Sequence, residues 1–315
     1  MLVTLEEIRV AAKNLVGVAF RTPLLPAPWA GPDFAVKAES LQPIGAFKIR
    51  GAYHAVATLT DAERARGVAA SSSGNHAQAV AYAARAFGVP AVIVIPEGAA
   101  PGKVAATQAL GAEVVRVPPP DRDTRAAEIA AERGLALIPP YDDPRVIAGQ
   151  GTVGLEIVED EPDVDVVLVP VSGGGLISGV ATAVTALRPG ARVIGVEPAL
   201  AADTAESLRR GEPAFWPTER TYRTIADALR ASSPGRLPWE HIRAYVDDVV
   251  TVTEEEIRVA MRRLAVDARL VAEPGGAVTT AAQLFHGDAL PPGRRVAVLS
   301  GGNVDPALLA EVLRG

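Results

Sequence analysis

Short runs of consecutive apolar residues constrain the fold of this chain more than any other feature of its sequence. Alanine-rich stretches with a helical period of apolar residues separate them, as in residues 77–87, 124–133 and 254–265. Strands that are apolar throughout are typical of a parallel sheet, because helices cover both of its faces. We therefore predict an α/β fold with right-handed crossovers. The runs occupy residues 91–96, 113–117, 166–171, 192–196 and 295–299.

The chain length indicates more than one domain. With 315 residues, the chain exceeds what one small core needs, and two domains are expected. Residues 58–145 contain several strand–helix units of their own, with proline clusters among them, and are predicted to form a small mobile domain. Residues 1–57 and 146–315 would form a large domain from both ends of the chain. The segment 209–238 is predicted to be loop and short helices.

Charge and composition exclude several kinds of partner. The net charge is −6 and no basic cluster is present, which argues against binding to nucleic acid or to an anionic membrane. No apolar run reaches the roughly 18 residues that span a bilayer. The first residues are acidic, unlike a signal peptide. Cysteine is absent, which fits a reducing compartment. We therefore expect a soluble cytoplasmic protein.

A lysine in residues 45–51, Gly-Ala-Phe-Lys-Ile-Arg-Gly, is the first candidate for chemistry. The chain has only four lysines, at positions 13, 37, 48 and 103, so arginine supplies most surface cations. Lysine can lose its proton and attack a carbonyl carbon, whereas arginine cannot. Lys48 is therefore a candidate Schiff-base residue. The alternative at this point is a lysine on a solvated helix face.

A polar turn at residues 71–76, Ser-Ser-Ser-Gly-Asn-His, follows a short apolar segment and precedes a predicted helix. Hydroxyl groups and free backbone N–H groups at a helix N-terminus bind anions and suit a carboxylate. An ordinary helix cap is the alternative.

A third motif at residues 300–303, Ser-Gly-Gly-Asn, follows the last apolar run. Ligand sites gather at the carboxyl ends of parallel strands, so these turns are expected to converge.

A glycine-rich turn at residues 172–176 follows the strand at 166–171 and is suited to a phosphate. A dinucleotide fold is the alternative, with Gly173 and Gly175 as its first glycines and Glu197 near a ribose. The fingerprint is incomplete because position 178 is serine. Glu197 and Asp203, six residues apart, could also share a hard cation, although the spacing alone favours solvated loop acids.

Taken in order, these motifs resemble the fold type II pyridoxal-phosphate enzymes of the threonine/serine dehydratase and serine racemase group. The similarity runs from Arg21 to Asn303 and covers nearly the whole chain. The resemblance implies two open, twisted, mostly parallel sheets flanked by helices, a pyridoxal 5'-phosphate cofactor and a homodimer. It also implies a small β-hydroxy amino acid as the substrate.

The resemblance further implies a role for each motif. Lys48 would bind the cofactor aldehyde and take the substrate Cα proton, and Phe47 would pack on the cofactor ring. Asn75 would bond the ring hydroxyl and Ser300 the ring nitrogen. The phosphate would be held by Ser172, Gly173, Gly174, Gly175 and Leu176. The substrate carboxylate would be held by Ser72, Ser73, Gly74, Asn75 and His76. A divalent cation (Mg, Mn or Ca) would be held by Glu197, the Ala201 carbonyl and Asp203.

The expected activity is an ammonia-lyase that converts L-threonine and L-serine into 2-oxobutanoate and pyruvate with release of ammonia. A serine hydroxyl at the ring nitrogen does not ionise near neutrality, which favours elimination over transamination. Serine racemase is an alternative activity, because Ser73 would act as an acid or base on the face of Cα opposite Lys48. Two bases on opposite faces of Cα permit racemisation. A 3-hydroxyaspartate dehydratase is a further alternative. Ala228 stands where relatives usually have glycine, so the substrate size stays open.

Overall fold

The computed structural model describes residues 1–315 and contains two open sheets with helices around them. One sheet has six strands in the order β1-β2-β10-β7-β8-β9, and the other has four in the order β5-β4-β3-β6. All neighbouring strands are parallel except the antiparallel pair β1 and β2. The predicted α/β fold is therefore confirmed. The strands are β1 (Leu24–Pro26), β2 (Phe34–Ala38), β3 (Val68–Ser71), β4 (Ala91–Pro96), β5 (Glu113–Val117), β6 (Ala136–Leu137), β7 (Val166–Pro170), β8 (Arg192–Pro198), β9 (Asp248–Val252) and β10 (Arg295–Leu299).

Fourteen helices surround the sheets, and none of them combines the length and apolar character that crossing a bilayer requires. Thr253 and Glu256 form a capping box that starts the twelfth helix. The segment 209–238 contains mainly loop and one short helix. The helices are α1 (Leu5–Asn14), α2 (Lys48–Ala57), α3 (Asp61–Arg66), α4 (Asn75–Phe87), α5 (Pro101–Ala109), α6 (Arg122–Arg133), α7 (Pro144–Asp160), α8 (Gly175–Leu187), α9 (Asp203–Arg210), α10 (Thr218–Thr221), α11 (Arg236–Tyr245), α12 (Glu254–Arg263), α13 (Pro274–His286) and α14 (Pro306–Arg314).

The predicted strands agree with β4, β5 and β10 and, to within two residues, with β7 and β8. The very short strands β1 and β6 were not predicted, and neither were the longer β2 and β9. Each of the two carries polar residues that break the apolar pattern, such as Lys37 in β2 and Thr251 in β9. Helix α4 also begins two residues before the predicted start, at Asn75. Asn75 and His76 therefore lie in the first helical turn, where their side chains have fixed directions.

The division into domains stays a prediction. The four-stranded sheet lies within residues 58–145, and the six-stranded sheet lies outside that segment. However, the apolar cluster around the smaller sheet also contains Ile49, Ala52 and Val56 of α2. Helix α2 thus packs against the smaller sheet although its sequence position assigns it to the larger part.

A buried group of charges fixes the beginning of α2. Arg50 is bonded to Glu39 at 2.8 Å and to Glu156 of α7 at 2.6 Å. Lys37 of β2 lies 2.6 Å from the same Glu156 carboxylate. Buried charges are tolerated when each is paired and hydrogen-bonded, as here, and removing one partner is strongly destabilising. The network ties α2 to β2 and α7 two residues beyond Lys48.

Candidate active site

A cavity of about 540 Å³ lies at the carboxyl ends of β3, β7 and β10, where α4 and α8 begin. Its wall includes side chains or backbone from every predicted cofactor and substrate motif. The motifs are far apart in sequence and meet because parallel strands direct their carboxyl ends to one edge of a sheet. The predicted residues in the wall are Phe47, Lys48, Ser72, Ser73, Gly74, Asn75, His76, Ser172, Gly173, Gly174, Gly175, Leu176 and Ser300.

Lys48 is the first residue of α2, and its ammonium group faces the cavity. Its Nζ donates a hydrogen bond to the Pro140 carbonyl at 2.6 Å and forms no ion pair. Burial lowers the pKa of Lys48 to about 8, because the charged form loses hydration without gaining an acidic partner. The Phe47 ring centroid is 5.2 Å from Nζ. A lysine in this setting loses its proton far more readily than one on a helix surface.

The glycine turn after β7 forms a close-fitting wall at the N-terminus of α8. Gly174 has a φ of +90°, a left-handed conformation that favours glycine. A Cβ atom on Gly175 would lie 2.8 Å from Cβ of Tyr141, and one on Gly173 would overlap the Tyr141 ring. The free N–H groups at this helix end suit an anion, and the missing side chains let it approach the backbone.

The turn at residues 72–76 divides into solvent-facing and buried parts. The Ser72 hydroxyl accepts a hydrogen bond from the Gly74 N–H at 3.2 Å, whereas the Ser73 hydroxyl makes no hydrogen bond to the protein. His76 is 3% exposed and is bonded through Nε2 to the Ile138 carbonyl at 2.8 Å. Burial lowers its pKa to about 3, so the ring is neutral and Nε2 is the donor.

Ser300 directly follows β10 and links two motifs through its backbone. Its carbonyl accepts a hydrogen bond from the Phe47 N–H at 3.0 Å, and Ala46 forms a bridge with Gly301. The first turn of α2 is therefore held against the end of β10. As a result, Lys48 and the Ser300 hydroxyl line the same cavity.

The cavity wall also contains residues that were not assigned from the sequence, among them Tyr141 and Glu273. Glu273 is 2% exposed and accepts a 2.6 Å hydrogen bond from Nδ2 of Asn75. Burial raises the pKa of Glu273 to about 7, and the nearby Asp227 carboxylate adds to the shift. From the sequence alone, a glutamate before Pro-Gly-Gly indicates an acidic residue at the beginning of a helix. No spacing rule connects Glu273 to a residue 198 positions earlier.

Glu197 and Asp203 lie outside the cavity wall, at the end of β8 and the start of α9. Both side chains are buried, so they are not solvated loop acids. Glu197 accepts hydrogen bonds from the N–H groups of Thr204 and Ala205 at 3.0 and 2.8 Å. This engagement leaves it poorly placed for a ribose and weakens the dinucleotide alternative.

One oxygen of Asp203 has no partner. Its Oδ2 atom is buried and makes no hydrogen bond. Burial raises the pKa of Asp203 to about 7 and raises that of Glu197 well above its usual range, with the Asp203 charge adding to the second shift. No group of three acidic or histidine side chains is arranged around a metal position. A cation here would therefore also need main-chain and water oxygens.

Comparisons with known proteins agree with this arrangement. A sequence model of the family described as pyridoxal-phosphate dependent enzyme matches residues 17–301. The L-threonine ammonia-lyase of Thermotoga maritima is 44% identical over 321 residues, which cover 99% of this chain and 78% of that protein. The L-threo-3-hydroxyaspartate ammonia-lyase of Saccharomyces cerevisiae is 43% identical over 288 residues, which cover 90% of this chain and 87% of that protein.

A solved structure is similar over the full length. Maize serine racemase superposes with a TM-score of 0.93 at 36% identity, and the match covers 100% of this chain and 98% of that one. The family match covers the strands of both sheets and includes Lys48, the glycine turn and Ser300. The chain belongs to the family of pyridoxal-phosphate dependent enzymes.

Proposed function

We propose that this protein is a pyridoxal-phosphate-dependent ammonia-lyase that converts L-threonine and L-serine into 2-oxobutanoate and pyruvate with release of ammonia. The observation that carries the proposal is the position of Lys48. It is a half-buried lysine without an acidic partner, in the same cavity as the glycine turn and Ser300. The similarity to the L-threonine ammonia-lyase of Thermotoga maritima supports the choice of substrate.

The cavity residues fit pyridoxal phosphate. The glycine turn leaves space where side chains would collide with Tyr141, as a phosphate cradle requires. Lys48 would bind the aldehyde, Phe47 would contact the ring, and Asn75 and Ser300 would bond the ring oxygen and nitrogen. The phosphate would lie against residues 172–176, where the N-terminus of α8 favours negative charge. When bound, the cofactor delocalises the negative charge that develops at the substrate Cα.

Different residues of the cavity would then bind the substrate, transfer its Cα proton and contact the ring nitrogen. The backbone and hydroxyls of residues 72–76 would bind the substrate carboxylate and orient its Cα toward Lys48. The Lys48 amine would take the Cα proton, and its pKa of about 8 makes it a base suited to slightly alkaline pH. Ser300 would offer a neutral hydroxyl to the ring nitrogen, which would favour loss of the β-hydroxyl group over transamination.

An assay with purified protein tests the proposal. After incubation with pyridoxal phosphate, the protein should give a visible absorption band that borohydride removes, and mass spectrometry should locate the adduct on Lys48. Incubation with L-threonine or L-serine should release a 2-oxo acid. A loaded protein that forms no 2-oxo acid from either substrate would overturn the assignment. The Lys48→Arg variant is the matched control, because a guanidinium keeps the charge and cannot form the adduct.

A second candidate activity rests on Ser73. Its hydroxyl lines the cavity and makes no hydrogen bond to the protein, so it is available to a ligand. Racemisation of serine would use Ser73 on one face of Cα and Lys48 on the other. Lys103 and Arg122 also line the cavity and would suit the second carboxylate of 3-hydroxyaspartate. Chiral analysis of serine, and assays with 3-hydroxyaspartate, separate these activities.

We also propose a divalent cation at Glu197, the Ala201 carbonyl and Asp203, since a buried carboxylate oxygen without a partner suits a hard cation. Magnesium, manganese and calcium are the candidates. A homodimer and a cytoplasmic location stay predictions. Sedimentation velocity and cell fractionation would test them.

A further inference from the structure

Three segments far apart in sequence are joined by backbone hydrogen bonds beside the cavity. The Gly302 N–H donates to the Gly45 carbonyl at 2.8 Å, and the Glu273 N–H donates to the Gly301 carbonyl at 3.0 Å. This places the Lys48 motif, the end of β10 and the start of α13 next to one another. The side chains of these segments meet Asn75 of α4 at the junction.

A short chain of side-chain hydrogen bonds runs through the junction. Asn303 Nδ2 lies 2.9 Å from the Ile44 carbonyl and 2.8 Å from Oδ1 of Asn75. Asn75 Nδ2 lies 2.6 Å from Oε1 of Glu273. Asn75 and Glu273 both line the cavity.

The direction of every bond in this chain follows from its first member. The Ile44 carbonyl can only accept, so the Asn303 atom facing it must be the nitrogen. That nitrogen also faces Asn75, so the Asn75 atom beside it must be the oxygen. The Asn75 nitrogen then faces Glu273, whose Oε1 must accept. Both groups of the Asn75 amide are thereby assigned from one backbone carbonyl.

We propose that Glu273 and Asn303 are positioning residues that hold the Asn75 amide so that it offers an N–H, and not an oxygen, to a ligand in the cavity. One Nδ2 hydrogen is bonded to Glu273, and the oxygen is occupied by Asn303. The second Nδ2 hydrogen is then the side-chain donor of Asn75 that no protein group accepts. The inference rests on the proposed function, in which this N–H meets the ring oxygen of pyridoxal phosphate.

Two glycines are required for the chain of bonds. A Cβ atom on Gly45 would lie 2.5 Å from Oδ1 of Asn303, and one on Gly301 would overlap Oε1 of Glu273. Any side chain at either position would push a member of the chain aside. The glycines of these two motifs therefore serve Asn75 as well as the backbone around Lys48.

The contact with Asn75 is made in place of a capping hydrogen bond between the Glu273 side chain and helix α13. It occupies the N-cap position of α13, yet its side chain makes no capping hydrogen bond. An N-cap side chain ordinarily accepts hydrogen bonds from the free N–H groups of the first helical turn. The carboxylate is turned toward Asn75 instead, which points to a function of the contact beyond helix stability.

The test uses holoprotein and two substitutions at Glu273. Glu273→Leu removes the acceptor, whereas Glu273→Gln keeps an oxygen for Asn75. Glu255→Leu, on the exposed first turn of α12, is the matched control. The readouts are the dissociation constant of pyridoxal phosphate and the visible spectrum of the bound cofactor. Loss of one hydrogen bond predicts about tenfold weaker binding for Glu273→Leu, with a shifted absorption maximum.

Glu273→Gln should bind within a fewfold of the parent protein, and Glu255→Leu should equal it. Asn303→Ala is a second route to the same loss and should also weaken binding and shift the spectrum. Parent-like affinity and spectrum in Glu273→Leu or in Asn303→Ala would overturn the inference, as would a defect in Glu273→Gln equal to that of Glu273→Leu. Absence of a borohydride-stable Lys48 adduct in the parent protein would instead reject the proposed function.

Discussion

The Nζ atom of Lys48 donates a 2.6 Å hydrogen bond to the carbonyl oxygen of Pro140, and burial lowers the pKa of this lysine to about 8. One carbonyl does not replace the hydration that the ammonium group loses on folding. Folding therefore disfavours the charged form. The same property that readies the amine for covalent chemistry should lower the stability of the cofactor-free protein.

Stability of the cofactor-free protein should depend on pH through Lys48. The folded pKa of about 8 lies below the ordinary value of 10.5, so the unfolded state binds more protons between these pH values. The free energy of unfolding should rise with pH over this range, by on the order of 3 kcal/mol. Lys48→Met removes the titrating group. The difference in urea-unfolding free energy between this variant and the parent should shrink between pH 8 and pH 10.5.

Identical pH profiles for the two proteins would contradict that prediction. Comparing the difference between variant and parent cancels the other titrating groups. The measurement belongs in cofactor-free protein, because the bond to the cofactor removes the titrating amine.

Gly173→Ala should weaken cofactor binding. Its Cβ atom would overlap the Tyr141 ring, so either the ring or the phosphate turn must move. Misplacement of the helix-end N–H groups predicts at least about tenfold weaker binding of pyridoxal phosphate, measured by spectroscopic titration. Gly190→Ala is the matched control, because a Cβ atom there meets nothing within 4 Å. Equal affinities for the two variants would show that the turn tolerates a side chain.

A divalent cation should stabilise the protein through Asp203. The buried Oδ2 atom has no hydrogen-bond partner, so a bound cation gains an anionic oxygen that is already dehydrated. Magnesium, manganese or calcium at about 100 times its dissociation constant should stabilise the fold by about 2.7 kcal/mol, seen as a rise in Tm. Asp203→Asn should abolish that rise, whereas Asp288→Asn, at an exposed position, should retain it. A Tm unaffected by all three ions would contradict the proposed cation site.

Ser73→Ala should separate elimination from racemisation. The Ser73 hydroxyl lines the cavity without a protein partner, and an alanine there removes one proton carrier while leaving Lys48 in place. Formation of 2-oxo acid should persist within about tenfold, while formation of D-serine from L-serine should fall by about a hundredfold or more. Chiral chromatography and a 2-oxo acid assay on the same samples give both rates. Equal losses of the two activities would assign Ser73 to substrate binding alone.

The four lysines show what amino-acid composition could predict about individual residues and what it could not. Lysine occurs at only four positions, and the sequence predicted a role for Lys48 alone. In the structure, Lys37 is buried against Glu156, and Lys103 is paired with Asp227 at the cavity. Only Lys13 lies on an ordinary exposed helix face. Ion pairs with residues distant in sequence determine the environments of Lys37 and Lys103. No local sequence pattern predicts such pairs.

The sequence by itself determined the sheet class and the turns that follow the strands. Apolar runs such as 91–96 and 295–299 are local patterns, and glycine or serine after a strand is a local conformational requirement. Parallel strands then force the turns to one edge, so convergence of the motifs was predictable. The tertiary structure alone decided the partners of Asn75 and the shielding of Lys48. Both depend on residues that approach through packing of α2, α4 and α13, and burial, which sets pKa values, exists only once the chain has folded.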